Sequence, residues 1–274
     1  MFLILPCISL CPSCFFVFFV AFFPKKMDNI IYKFKIDNIN HELEMVFVEG
    51  TRGNSYLFGT EKDKQPISIK DFFISKFPIT GALWKYIMGQ DEFHNKSEDD
   101  NKPVRFLSWD DITCKGGFLE KINSGKILIE IKKQLPGNTL LRLPSETEWE
   151  YAARGGKNWK DDFQFSGSNN IDEVAWYQLN SYDEVKDVGQ KGPNQAGIYE
   201  MNGNVWEWCQ DCYQLDTDKI PKDGSPLITE GPDRVLRGGC HHNWAIHCTV
   251  SKRYEIGKEF KDNCIGFRLV LGKC

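Results

Sequence analysis

Histidine and cysteine are concentrated in one segment near the end of this 274-residue chain. Residues 234–270 hold three of the five histidines and three of the ten cysteines. Thiolate and imidazole groups bind soft metal ions, thiols can be oxidised, and large rings on loops supply contact area for recognition. The segment therefore predicts a metal site, a redox site or a binding surface. The side chains concerned are Cys240, His241, His242, Trp244, His247 and Cys248.

More regular sequence flanks these side chains. Arg237-Gly238-Gly239 comes before them, and Ile265-Gly266-Phe267-Arg268 comes after them. We interpret both flanks as fixed framework and the residues between them as the functional part of the segment. The rest of the chain must then fold so that these two flanks are held in place.

The composition narrows the function classes. A hydrophobic content of 41% predicts a folded chain, and 274 residues are enough for one large domain or two small ones. The net charge of -4 lacks the basic excess of a phosphate-binding surface, so we expect no nucleic acid partner. The aromatic content of 14% and the 23 glycines favour a compact domain rich in loops rather than in long helices.

The cysteines fall into two groups. Cys7, Cys11 and Cys14 lie in an apolar leader, and the other seven run from residue 114 to residue 274. Cys209 and Cys212 form a C-x-x-C pair, but no second pair accompanies it and no thioredoxin-like context surrounds it. We therefore interpret these two as packed thiols. Seven cysteines cannot all pair within one chain.

The N-terminal region allows three interpretations. Residues 1–23 are almost wholly apolar and long enough to cross a bilayer as a helix, while Lys25 and Lys26 follow them. Translation could begin at Met27, which makes 1–26 a mis-assigned start; the run could insert in a membrane; or it could be an atypical export signal. The first two place the domain in the cytoplasm, since the lysine pair favours that side, and the third exports it. We divide the chain into leader 1–26, lead-in 27–43 and domain 44–274.

Several local signals predict elements in this domain. MVFVEG at 45–50 alternates like a strand, DFFISKFPIT is strand-like, and GALWKYIMG carries one apolar helical face. Ser108 is the predicted N-cap of a helix that continues through Phe118 and Ile122.

A second helix start lies at RLPSETEWEYAARGG. Ser145 and Glu148 have the spacing of a capping box, and Gly155-Gly156 should end the helix. Arg142 and Glu150 have the chemistry of catalytic residues, but we interpret them as an ion pair that joins strand to helix.

The sequence GNVWEW at 203–208 predicts an extended piece with Trp206 and Trp208 on one side and Glu207 on the other. A carboxylate close to backbone carbonyls is the donor set that calcium prefers. We therefore predict a structural calcium ion held by Gly203, Val205 and Glu207, with a hydrogen bond from Glu207 to the backbone as the alternative.

Five motifs in this order resemble the formylglycine-generating enzyme or sulfatase-modifying factor family. They are MVFVEG, RLPSETEWEYAARGG, GNVWEWC, RVLRGG and IGFRLV, and the resemblance covers residues 44–271. The resemblance implies one domain of α+β class, with the formylglycine-generating-enzyme and C-type-lectin-like fold and little regular secondary structure.

Catalytic members of this family use two cysteines to bind copper(I) and oxidise a cysteine of a sulfatase peptide. By resemblance, the second copper ligand and catalytic cysteine is Cys248, whereas Asn243 stands where the first ligand belongs. An amide is a poor ligand for soft copper(I), so this oxidase function is the alternative hypothesis. It requires Cys240, His241, His242 or His247 to replace the missing thiolate.

The preferred hypothesis is a non-catalytic binding domain. The chain also resembles the variable proteins of diversity-generating retroelements, which bind ligands through the lectin-like face. This resemblance implies a binding surface, open to diversification, within 240–263 and framework arginines at Arg237, Arg253 and Arg268. The expected partner is an unidentified protein or small ligand, and a membrane only if residues 1–23 insert. The predicted ligand-binding residues are His241, His242, Asn243, Trp244, Ile246, His247 and Tyr254.

Overall fold

The computed structural model describes residues 27–60, 62–89, 100–135, 137–159 and 162–273. The predictions for the leader 1–26 lie outside these residues. In the part of the chain that is described, no helix combines the length and apolar character needed to cross a membrane.

The larger sheet has five antiparallel strands in the order β1-β2-β5-β11-β6. The hairpin of β1 and β2 pairs Ile30 with Met45, so residues 30–43 of the predicted lead-in are part of this sheet. Alternate hairpin residues such as Phe34 and Leu43 are buried, which explains why both strands join the domain. The strands are β1 (Ile30–Ile36), β2 (Ile39–Val48), β5 (Phe72–Ser75), β6 (Thr139–Arg142) and β11 (Val270–Lys273).

The smaller sheet has the order β10-β7-β8-β9 and carries the functional segment. Strand β10 runs parallel to β7, while β8 is antiparallel to both β7 and β9. A separate hairpin joins β3 to β4. These strands are β3 (Tyr56–Phe58), β4 (Gln65–Ile67), β7 (Trp206–Cys212), β8 (Asp233–Arg237), β9 (Arg253–Gly257) and β10 (Ile265–Phe267).

Among the described residues, six short α-helices accompany the sheets. They are α1 (Gly81–Met88), α2 (Trp109–Thr113), α3 (Phe118–Ser124), α4 (Lys126–Gln134), α5 (Glu146–Ala153) and α6 (Ile171–Val174). Single 3-10 turns occupy Gly156–Asn158, Thr217–Lys219 and Ala245–His247. The fully described stretch 175–205 contains neither helix nor strand, as expected for an α+β fold with much irregular structure.

The predicted helix starts are confirmed, and one predicted helix is wrong in length. Ser108 forms a capping box with Asp111, and Ser145 forms one with Glu148. The helix that begins after Ser108 ends at Thr113 and does not reach Phe118. Gly116 has a φ of 78°, and a Cβ at residue 117 would lie 2.7 Å from the carbonyl oxygen of Asp111. The chain turns here and starts α3 afresh.

Two large apolar clusters form most of the core, and a small third cluster contains Phe165, Val174, Tyr177 and Cys248. One packs helices α1 to α4 against strands of both sheets and contains Trp208, Phe118 and Phe267. The other lies around Trp149 of α5 and includes residues of β2 to β5. Trp149 and Trp208 are both fully buried, at 0% exposure. The alternation predicted for Trp206, Glu207 and Trp208 is confirmed, because Glu207 faces Trp149 while both tryptophans pack in the first cluster.

Candidate functional site

Buried ion pairs fix both flanks of the functional segment. In IGFRLV, Arg268 is fully buried and donates from Nε and Nη2 to Glu207, at 2.6 and 2.7 Å. Trp149 Nε1 also donates to Glu207, at 2.6 Å. The negative charge of Glu207 is therefore neutralised by a guanidinium rather than hydrogen-bonded to the backbone. These contacts tie strand β7, helix α5 and the chain after β10 into one unit.

Glu207 belongs to the predicted calcium set, whose other members lie close to it in sequence. Gly203 has a φ of 67°, and a Cβ there would lie 2.1 Å from the carbonyl oxygen of Trp176, so the position requires glycine. Val205 is buried. Arg268 already supplies the charge that a buried carboxylate needs. Calcium at this position stays a prediction.

A second network fixes the other flank. Arg237 donates from Nη2 to Glu150 at 2.5 Å, and Arg253 donates to both carboxylate oxygens of Glu146, at 2.6 and 2.7 Å. Arg237 also donates to the carbonyl oxygens of residues 250, 251 and 252, at 2.8, 3.2 and 3.0 Å. The three arginines predicted as framework therefore all bind buried carboxylates of the core.

Arg142 and Glu150 form ion pairs, but not with each other. Arg142 does not pair with Glu150; it forms a two-pronged ion pair with Glu148, at 2.7 Å for each bond. Glu150 instead pairs with Arg154 and Arg237. Both residues join a strand to helix α5 through an ion pair, as predicted. Their partners differ from the prediction because each strand faces a different side of α5. Glu150 is fully buried and Arg142 is half-buried.

Cys209 and Cys212 are both buried, free thiols. Burial raises the pKa of Cys209 well above its ordinary value. Cys212 accepts a hydrogen bond from the guanidinium of Arg234 at 2.9 Å. These contacts match the interpretation of the C-x-x-C pair as packed thiols.

The functional segment turns inward immediately after β8. Gly238 and Gly239 have φ values of 96° and 77°, and they direct the next two side chains into the interior. Cys240 is 1% exposed and His241 is 0% exposed. His241 was predicted to contact a ligand at the surface, but the structure places its ring inside, with Nδ1 2.9 Å from the carbonyl oxygen of Asn204.

Asn243 also serves the loop rather than a ligand. Its Oδ1 accepts the backbone N–H of Cys240 at 3.0 Å, and its carbonyl oxygen accepts the N–H of Gln178 at 3.0 Å. The side chain is thus engaged at the position where copper-binding members carry a thiolate. Asn243 closes a local turn of the segment.

Cys248 lies at the base of the loop and is 0% exposed. Burial raises the pKa of its thiol to about 12. A Cβ at position 239 would come within 2.6 Å of its sulfur, so Gly239 is needed for this packing. The thiol of Cys248 and the amide of Asn243 do not form a donor set that fits copper(I), because an amide oxygen is a hard ligand.

The remaining predicted ligand-binding residues are at the surface. Trp244, which precedes the 3-10 turn Ala245–His247, is 54% exposed, and Ile246 in the middle of that turn is 69% exposed. His242 is exposed and its Nδ1 contacts the carboxylate of Asp183. His247 is half-buried. Tyr254 of β9 is 48% exposed and stacks on Trp206, with ring centroids 5.4 Å apart.

Three parts of the functional segment meet at the start of strand β7. The backbone N–H of His241 donates to the carbonyl oxygen of Asn204, and the N–H of Trp206 donates to that of Cys264. The ring of Trp206 also stacks on the ring of Tyr254 in β9. The two loops of the segment and strand β9 therefore all contact the chain at residues 204–206. We call the exposed side chains Trp244, Ile246, Tyr254 and Phe260 the loop surface.

Sequence reasoning missed three contributors. Leu179 and Tyr182 are 65% and 85% exposed and lie beside the segment, since Gln178 bonds to Asn243 and Ser181 donates to the carbonyl oxygen of His241. Cys264 meets Cys240 although they are far apart in sequence. The sequence signal that could have identified Cys264 is its position directly before the Ile265-Gly266 framework.

Comparison with known proteins agrees with this architecture. A family model described as a sulfatase-modifying factor enzyme 1-like domain matches residues 33–273. The chain belongs to this family. The chaperone protein LppX of Paenibacillus barcinonensis is 32% identical over 236 residues, which cover 72% of this chain and 78% of that protein. The predicted family and fold class are therefore confirmed.

Other similar proteins include both a named enzyme and a variable protein. The formylglycine-generating enzyme of Thermomonospora curvata is 28% identical over 196 residues, covering 64% of this chain and 56% of the enzyme. The chain thus spans little more than half the length of that enzyme. Among solved structures, Treponema denticola variable protein 1 superposes with a TM-score of 0.70 and 25% identity, covering 88% of this chain and 98% of that one.

Proposed function

We propose that this chain is a non-catalytic binding domain that recognises a partner protein through the loop surface. The observation that carries the proposal is the contrast within one short loop. Its hydrogen-bonding and thiol groups at positions 243 and 248 are engaged inward, while Trp244 and Ile246 are more than half exposed. Large exposed apolar side chains grouped on an ordered loop are typical of protein interfaces.

A protein partner fits this geometry better than a small ligand does. Small-molecule sites are concave and enclose most of the ligand. Here the rings stand out from the loop, and Leu179 and Tyr182 extend the same apolar region from the neighbouring segment. Tyr254 is held by stacking on the buried Trp206, so it loses little conformational freedom when a partner binds.

The similarity to Treponema denticola variable protein 1 supports a surface that differs between copies of the gene. We extend that idea to residues 240–263, the part of the chain between the two arginine flanks. Sequencing the gene from sister isolates would reveal substitutions concentrated in this range.

The alternative is oxidation of a sulfatase cysteine peptide, which requires copper(I) at Cys248. We expect a sulfatase-type cysteine peptide incubated with the reduced full chain, copper(I) and air to retain its thiol, as followed by mass spectrometry. Conversion of that thiol to an aldehyde, abolished by Cys248→Ser, would overturn the binding-domain proposal.

Partner binding is tested by comparing two surface variants. The full chain, Trp244→Ala and Ile129→Ala are each crosslinked in an extract of the source cells, and captured proteins are quantified. Ile129 is 56% exposed but lies on α4, away from the loop surface, so it is the matched control. We expect one protein to be captured by the wild type and by Ile129→Ala and lost with Trp244→Ala. Equal capture by all three chains would contradict the proposal.

A further inference from the structure

Three metal-binding side chains from two separate loops meet next to the loop surface. One donor atom each from Cys240, His241 and Cys264 lies within 4.8 Å of the others. Two sulfurs and one imidazole nitrogen are a typical donor set for a thiophilic ion. This set does not include Cys248 or Asn243, the positions to which the family resemblance assigns copper. It also does not depend on the proposed binding function.

The backbone around each donor is fixed by hydrogen bonds. Cys240 N–H donates to Asn243 at 3.0 Å, and His241 N–H donates to the carbonyl oxygen of Asn204 at 3.0 Å. Cys264 N–H donates to Asp262 at 2.8 Å, and its carbonyl oxygen accepts the N–H of Trp206 at 2.7 Å. The donors are therefore positioned by the start of β7 and by two closed turns. Such preorganisation is what a metal site needs.

The orientation of His241 provides an independent indication of a ligand. Its Nδ1 lies 2.9 Å from the carbonyl oxygen of Asn204, and since a carbonyl accepts only, Nδ1 carries the hydrogen. Nε2 then has a free lone pair. This atom is buried and has no hydrogen-bond partner among the described residues. A backbone carbonyl that fixes one ring nitrogen while the other remains available is the usual arrangement behind a metal-bound histidine.

The net charge of the metal complex favours a divalent ion. Binding of a divalent ion would release both thiol protons and leave a complex of two thiolates and one imidazole with no net charge. A monovalent ion would leave one uncompensated negative charge in a buried site.

We propose that Cys240, His241 and Cys264 bind a zinc ion. Cys264 is half-buried, so its side of the site faces solvent, and water can complete a tetrahedral set of four ligands. The ion joins the first residues of the loop after β8 to the last residues before β10. Zinc therefore fastens together the two ends of the segment that carries the loop surface.

The test uses the full chain, reduced and stripped of metal. Zinc affinity is measured by competition with a chromophoric chelator, and cobalt(II) is added in parallel to report thiolate ligation by its charge-transfer absorption. We expect one zinc ion per chain, release of about two protons, and at least a roughly 100-fold loss of affinity in Cys240→Ser, Cys264→Ser and His241→Gln. Cys114→Ser, which removes an exposed thiol outside the site, is the matched control and should bind as the wild type does.

Specific results would overturn the proposal. They are no zinc binding by the reduced chain, an affinity unchanged in His241→Gln, a preference for copper(I) with no zinc bound, or a Cys240–Cys264 disulfide that persists under the same reducing conditions. Melting curves of each metal-free variant show whether a loss of binding comes from unfolding. A variant that melts like the metal-free wild type but binds no zinc supports the assignment.

Discussion

The arginine framework and the loop surface are adjacent, yet they distribute their side chains in opposite ways. In the framework, Arg237 and Arg268 are fully buried and each is paired with a buried carboxylate. On the loop surface, the side chains of Trp244 and Ile246 are exposed. The fold is therefore stabilised at the flanks of the segment, which leaves the exposed side chains of its middle available for the proposed recognition.

The largest effect should come from breaking the framework at Glu207. In Glu207→Gln the buried guanidinium of Arg268 loses its compensating charge, so we expect the free energy of unfolding to fall by about 3–5 kcal/mol in urea titrations. The control Glu130→Gln removes one partner of the exposed pair with Lys133 and should cost under about 1 kcal/mol. Similar losses in both variants would erase the distinction between buried and surface pairs.

A melting experiment with EDTA tests the calcium prediction. A melting temperature of the wild-type chain that falls on addition of EDTA and is restored by calcium but not by zinc would support calcium at Glu207. An unchanged curve would remove calcium and leave Arg268 as the sole counter-charge. Melting curves of the metal-free chain with zinc alone and with calcium alone distinguish this site from the proposed zinc site at Cys240.

A smaller effect concerns pH and Glu200, which lies near Arg268 and Glu207. Burial raises the pKa of Glu200 to about 7, and its Oε2 has no hydrogen-bond partner among the described residues. The folded chain keeps a proton that the unfolded chain releases above pH ~4.5, so stability falls as pH rises from about 4.5 to 7. At about 1.4 kcal/mol per pH unit, the loss is about 3 kcal/mol.

Urea unfolding at a series of pH values measures this dependence. We expect Glu200→Gln to reduce the slope of the stability profile between about pH 4.5 and 7, because the amide does not titrate, while Asp211, whose pKa burial raises to about 8, keeps a residual slope. Glu130→Gln, which alters an exposed carboxylate, should keep the wild-type slope. A slope in Glu200→Gln equal to that of the wild type would show that another group controls the pH response.

The smallest effect on stability should come from the loop surface. Trp244→Ala removes an exposed ring, and we expect the free energy of unfolding to change by less than about 0.5 kcal/mol. Urea titration checks this value beside the binding experiment on the same variant. A loss of several kcal/mol would mean that Trp244 supports the fold, and the contrast with the framework would fail.

Local signals in the sequence predicted local structure well. The N-cap at Ser108 and the capping box at Ser145 were predicted from residues at most three apart, and both form. The break of the helix after Thr113 was missed, although Gly116-Gly117 carries that information. The family motifs gave the fold class, because several of them occur in the expected order.

Contacts between residues distant in sequence could not be predicted from the sequence. Arg142 pairs with Glu148 rather than Glu150 because the side of α5 that faces β6 is set by packing. His241 was expected at the surface, yet the turn at Gly238-Gly239 rotates it inward. The contact of Cys240 with Cys264 depends on two loops that meet only when β10 lies beside β7. None of these relations has a signature in residue spacing.

The contacts of Arg237 have an evolutionary consequence. Its guanidinium holds the end of the loop through the carbonyl oxygens of residues 250, 251 and 252. A carbonyl oxygen is the same in every amino acid, so these bonds place no demand on the side chains at those positions. Val250 is buried in the core, but mutations of the half-buried Ser251 and Lys252 change the chemistry presented outside without removing the anchor inside. The domain can thus accept new surface sequences at a low risk of misfolding, which is a form of mutational robustness.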